Sequence, residues 1–116
     1  PFLIQQLVDN LEYRLENAST DEEKLESILD THIQFERIHP FSDGNGRTGR
    51  VLMNYSLLQE GFPPLIIEKE TKATYIELLA KQDLNGFMIF ANEILAKEQK
   101  RMQSFQNMAQ EQIKYE

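Results

Sequence analysis

The stretch His39-Pro40-Phe41-Ser42-Asp43-Gly44-Asn45-Gly46-Arg47-Thr48-Gly49-Arg50 holds a base, a carboxylate, an amide between glycines and two guanidinium groups. Each group suits a different part of phosphate chemistry. An imidazole titrates near neutrality, so His39 can take a proton from an attacking hydroxyl. Gly44 and Gly46 around Asn45 permit a turn that exposes backbone N–H groups, and a helix starting just after it adds its positive N-terminal pole. If that helix begins near Gly46, Arg47 and Arg50 lie three apart on one face and reach toward the same anion. Asp43 can hold a divalent cation beside it. A plain helix cap would account for Asp43 and Asn45, with the arginines paired to surface carboxylates, but it leaves His39 and the two glycines without a role.

This segment resembles the signature of the Fic domain family: His, any residue, Phe, any residue, Asp or Glu, Gly, Asn, Gly, Arg, two variable residues, Arg. Every specified position matches. The related Doc-type kinases typically carry lysine where this chain has Gly46, so the match favours the nucleotide-transferring branch. The resemblance implies a nucleotidyltransferase, a protein adenylyltransferase or AMPylator, in which a Tyr, Thr or Ser hydroxyl of a target protein attacks the α-phosphate of ATP. On that reading His39 is the catalytic base and Asp43 ligates Mg2+. Gly44, Asn45 and Gly46 hold the α-phosphate, and Arg47 and Arg50 position the outer phosphates, Arg50 the terminal one. Phe41 is expected to be a buried anchor of the loop. Two further positions could meet the nucleotide: Tyr75, where relatives commonly place a tyrosine near the adenine, and Asp83, where they often place asparagine. Either could equally be structural, Tyr75 as amphipathic packing and Asp83 as a solvated helix end.

The elements that must position these groups read as helices. Leu3, Leu7, Leu11 and Leu15 mark one stripe, ended by the polar run from Asn17 to Thr20. Thr20 followed by Glu23 is a capping box, after which Leu25, Ile28, Leu29, His32 and Ile33 recur at helical spacing and deliver His39 to the loop. Beyond the loop, Val51, Leu52, Tyr55 and Leu58 suggest a second buried stripe, stopped by Gly61 and Pro63-Pro64. Leu65-Ile66-Ile67 reads as a short extended connection, and Lys72 to Gln82 and Gly86 onward as helices. The fold class expected is therefore all-α, a Fic-type helical bundle with an anion-binding loop between two central helices. His32 reads as a hydrogen-bonded core residue with Glu36 a turn away, since no neighbouring Cys, Asp or His completes a metal set.

With 116 residues there is room for one modest core. The resemblance covers residues 1–97, a Fic core without the upstream flap hairpin that docks target segments in relatives, and 98–116 form a C-terminal helical extension. That extension carries Met102, Phe105, Ala109 and Ile113 at helical spacing, a face suited to the core or to another subunit. The chain has no cysteine, and its 12 basic against 19 acidic residues argue against nucleic acid and anionic lipid as partners. No apolar run crosses a membrane and no leader pattern opens the chain, so a cytoplasmic protein is expected. The expected partner is a hydroxyl-bearing protein substrate, with a regulator or homo-oligomer also possible. Transfer of another phosphate-linked group such as UMP or phosphocholine is the alternative chemistry, and a non-catalytic nucleotide-binding or interaction module the alternative class. Ser56-Leu57-Leu58-Gln59-Glu60-Gly61 matches the inhibitory motif of relatives, yet it lies on the helix leaving Arg50, about 15 Å further on, and cannot fold back.

Overall fold

The computed structural model describes residues 2–38 and 45–115, apart from the side chains of Asn45 and Tyr115. Five α-helices follow one another: α1 (Phe2–Asn17), α2 (Asp21–Ile38), α3 (Asn45–Gln59), α4 (Lys72–Ala80) and α5 (Leu84–Tyr115). A 3-10 turn, Lys69–Thr71, leads into α4, and no strand occurs among the described residues. The fold is all-α.

The start of α2 follows its sequence signal. Thr20 Oγ1 accepts from Glu23 N at 3.1 Å, and the Glu23 carboxylate accepts from Ser19 N at 3.1 Å, so two orphan donors are satisfied at once. α2 then runs through the centre of the molecule, against α1 and α3 on its flanks and α5. Its stripe Leu25, Ile28, Leu29, His32 and Ile33 is buried, as its spacing predicts. Met53 and Leu57 of α3, Leu65, Tyr75 of α4, and Phe87, Phe90, Ala91 and Leu95 of α5 complete the core. α1 lies at the edge: Leu11 and Leu15 pack against the core while Leu3 is exposed. Arg14 Nη1 donates to Asp30 Oδ2 at 2.8 Å and ties α1 to α2.

α3 turns a different face inward from the one its apolar residues suggest. Val51, Leu52, Tyr55 and Leu58 are exposed, Val51 by 63% and Tyr55 by 61%, whereas Gly49, Met53 and Leu57 are buried. The buried row advances four residues at a time and starts from a residue with no side chain. A Cβ on Gly49 would run into Glu36 Oε1 and come within 3.1 Å of Phe35 Cδ1 and 3.2 Å of His32 Cε1. Glycine here lets the two central helices approach closely, and that contact fixes the rotation of α3.

After α3 the chain turns at Gly61, whose φ of +86° places it in the left-handed region where glycine is favoured. Residues 62–68 run without strand pairing, as the sequence predicts for Leu65-Ile66-Ile67. Asn54 substitutes for a partner strand: its Oδ1 accepts from Leu65 N at 2.7 Å and its Nδ2 donates to Leu65 O at 3.4 Å. α5 continues without a break from the core into the extension, where residues 101–114 are exposed along their length.

Candidate functional site

α3 begins at Asn45, so the amides of its first turn, which have no partner within the helix, lie inside the motif. Gly46 lies in that turn, and the Arg50 guanidinium folds back over it. A Cβ on Gly46 would stand 3.1 Å from Arg50 Nη1. A cation is thus held at a helix N-terminus, the arrangement that draws anions. Beside it opens a cleft of about 430 Å³, lined by Glu36 and Arg37 from the end of α2, Gly46 and Arg50 from α3, and Tyr75, Ile76, Leu79, Ala80 and Gln82 from α4 and its exit. Arg37 and Arg50 bring positive charge to its lining and Glu36 a carboxylate, while Ile76, Leu79 and Ala80 give it an apolar wall.

Beneath the cleft lies a buried polar contact. His32 Nε2 and Tyr75 Oη are 2.7 Å apart, and their rings stack at 5.9 Å with 18° between planes. Phe87 seals the pair from below, 6.0 Å from His32 and 6.1 Å from Tyr75. Burial, reinforced by the Arg50 charge, holds the His32 imidazole down at about 4, so it is neutral near pH 7. Burial pushes the Tyr75 hydroxyl up to about 12, even though a hydrogen bond from Arg50 favours its ionised form and Glu36 opposes it.

These shifts predict a stability profile. An unfolded histidine titrates at 6.5 and the folded one at about 4. Between these values the unfolded chain binds a proton that the folded chain refuses. The contribution of neutral His32 is therefore full above pH 6.5 and is lost as the pH falls, by about 3 kcal/mol in all at roughly 1.4 kcal/mol per pH unit. Tyr75 acts at the other end, where the folded state keeps a proton that the unfolded chain releases, so stability falls between pH 10 and about 12. Urea midpoints from pH 7 to 5 should decline in the parent chain, and the decline should flatten in His32→Gln.

Several expected site residues, His39, Phe41, Asp43 and Gly44, lie outside the described residues, as does the side chain of Asn45. Gly46, Arg50 and Tyr75 come together at the cleft. Arg47 is exposed and lines, with Arg50, Val51 and Asn54, a shallower groove on the outer side of α3. Arg50 therefore borders both depressions and Arg47 the outer one. Asp83 caps α5: its Oδ1 accepts from Gly86 N at 2.9 Å and its backbone carbonyl accepts from Phe87 N at 2.9 Å.

The neighbouring Gln82 is what the sequence reading misses. It closes α4 in the left-handed region at φ 52°, with its N–H on Leu79 O and the Asp83 N–H on Leu78 O. Glycine is the usual residue at such a stop, and a larger one costs about 1 kcal/mol there. No spacing rule marks it.

These features define an all-α domain with a cationic cleft at a helix N-terminus. Residues 1–57 match the model of the Fic/DOC family, and through that segment the chain belongs to the Fic/DOC family. Over 93 residues, 80% of this chain and 18% of the relative, it is 31% identical to "Protein adenylyltransferase fic-1" of Caenorhabditis briggsae. Over 62 residues, 51% of this chain, it is 52% identical to "Protein adenylyltransferase Fic" of Aedes aegypti, covering 12% of it, and 44% identical to that of Drosophila grimshawi, covering 13%. The chain thus spans less than a fifth of the length of these curated relatives. No solved structure matches it significantly. No helix among the described residues is long and apolar enough to cross a membrane.

Proposed function

We propose that this domain is the catalytic core of a protein adenylyltransferase, transferring AMP from ATP to a Tyr, Thr or Ser hydroxyl of a target protein. The observation that carries this reading is the complete motif, whose Arg50 lies over the first turn of α3 and lines a cleft of about 430 Å³. The names of the relatives point the same way.

The residues divide the work. His39 takes the proton of the incoming hydroxyl, whose oxygen forms a bond to the α-phosphorus as the bond to pyrophosphate breaks. Asn45 and the amides around Gly44 and Gly46 meet the charge that builds on the α-phosphate oxygens. Arg47 and Arg50 hold the outer phosphates, and Tyr75 borders the nucleotide. Asp43, a single carboxylate beside phosphate oxygens, is a donor set that suits Mg2+, which supplies charge neutralisation when bound. The base is read less strongly than the phosphates, because Asp83 is engaged as a helix cap.

The test is incubation of the chain with Mg2+ and ATP labelled at the α-phosphate, beside UTP and CDP-choline labelled at the matching position. Protein-bound label from ATP that disappears in Arg50→Ala is expected. Label from another donor in its place would reassign the transferred group. ATP binding without transfer from any donor would favour a nucleotide-binding module.

A further inference from the structure

One stripe of α5 changes its surroundings along the helix. Phe87, Ala91 and Leu95 are buried in the core, and the same face continues three or four residues at a time through Glu98, Met102, Phe105, Ala109 and Ile113. The packing stops and the pattern does not: Met102 is 46% exposed, and Phe105 and Ile113 are each 72% exposed. A lone helix of this length, held at one end only, is marginal in water, and residues 102–110 hold no charged side chain to solvate it. At the base of the extension a groove of about 670 Å³ opens between α5 and the turn after α3, with Leu58, Phe62 and Pro64 on one side and Gln99, Met102 and Gln106 on the other. None of its lining residues borders the cleft beside Arg50.

Charge selects what covers this face. Three acidic and three basic residues cancel within 98–116, so the net charge of −7 belongs to residues 1–97, and two copies of the chain repel through their bodies but not through this helix. The helix is also polarised along its length: Lys97, Lys100 and Arg101 at the base outnumber Glu98, while Glu111 and Glu116 beyond the uncharged stretch outnumber Lys114. Two such helices side by side in one direction set like charges against like. Reversed, they set each basic base against an acidic end. Glu98 already pairs with Arg101 at 3.3 Å, so the stripe brings no uncompensated charge into the contact. We propose that two copies of this chain associate through their C-terminal extensions, antiparallel and centred on Gln106, so that Ile113 of each copy lies at the groove beside Gln99 of the other. The contact spans about 25 Å over residues 98–114, a small interface of the weak and reversible kind.

The experiment is sedimentation equilibrium of the chain from about 1 to about 300 µM, the range in which a weak interface forms and dissolves. A mass of 13.6 kDa at the low end, rising toward twice that at the high end, is expected. Urea midpoints taken at about 1 µM then read the monomer. Phe105→Glu combined with Ile113→Glu puts carboxylates into the contact and should weaken association by about tenfold or more, with the midpoint at about 1 µM as in the parent. Because the chain has no cysteine, an introduced thiol reports direction. Gln106→Cys should form a disulfide-linked dimer on mild oxidation, whereas the two thiols of Gln99→Cys stand about 21 Å apart along the pair and should not link. A parent chain that stays at 13.6 kDa throughout would overturn the proposal, as would a dimer that survives the two glutamates. Linking of Gln99→Cys as fast as Gln106→Cys would mean parallel helices and overturn it as well. Slow hydrogen exchange of residues 102–113 in a monomeric chain would overturn it by placing the stripe on the chain's own core.

Discussion

Replacing His39 with alanine is expected to lower AMP transfer by about 10²- to 10⁴-fold, the range that a positioned general base contributes. ATP affinity should change little, because in the proposed mechanism the imidazole acts on the hydroxyl of the second substrate and the phosphates are met by the glycines, Asn45 and the arginines. The two readouts separate chemistry from binding. Transfer of α-phosphate label at a fixed protein concentration gives the first, and calorimetric titration the second. Undiminished transfer in the variant would remove His39 from the mechanism and require another base. Loss of both would say that the substitution disturbs the loop as a whole.

The second large effect is on stability. Phe87 is 0% exposed, and its ring meets His32, Tyr75 and, at 6.2 Å, Phe90. Phe87→Ala deletes the floor under the buried polar pair and leaves a cavity between α2, α4 and α5. Such truncations cost about 3–5 kcal/mol, a large share of the roughly 5–15 kcal/mol that holds a domain of this size together. The urea midpoint should fall steeply or the chain should fail to fold at 37 °C. Phe105→Ala on the same helix is the control: that side chain is 72% exposed, and its removal should move the midpoint by about 0.5 kcal/mol or less. Equal effects would mean that the extension is packed in solution.

The elements of this fold are legible where one face of a helix is apolar and the ends carry capping chemistry. The Thr20–Glu23 box, the stripe from Leu25 to Ile33 and the stop at Gly61 all appear as the pattern predicts. α3 is where that logic fails, because it carries apolar residues around most of its circumference. Val51, Leu52, Tyr55 and Leu58 satisfy the helical period as well as Met53 and Leu57 do, and the choice between them is made by Gly49, whose lack of bulk lets α2 approach. Periodicity registers side chains and is blind to a missing one.

For the site, the division is between local and distant residues. The motif's spacing marks the start of α3 and the arginines of its first turns, because all of them are encoded within twelve positions. Ile76, Leu79 and Gln82 come from α4, far down the chain, and reach the cleft only through packing. His32 illustrates both halves: its stripe position gives away its burial, while its bond to Tyr75, 43 residues later, is a fact of the tertiary structure.

Gly49 occupies one of the four motif positions that the family pattern leaves open, yet its Cβ direction is already filled by Glu36, Phe35 and His32. That freedom is therefore conditional. Among sequences that share this motif, a bulkier residue at the equivalent of 49 should coincide with a shorter one at the equivalent of 36, and the two columns should vary together although neither belongs to the signature. A motif defined by its invariant letters would thus carry a hidden size rule, written by the neighbouring helix into one of its blanks.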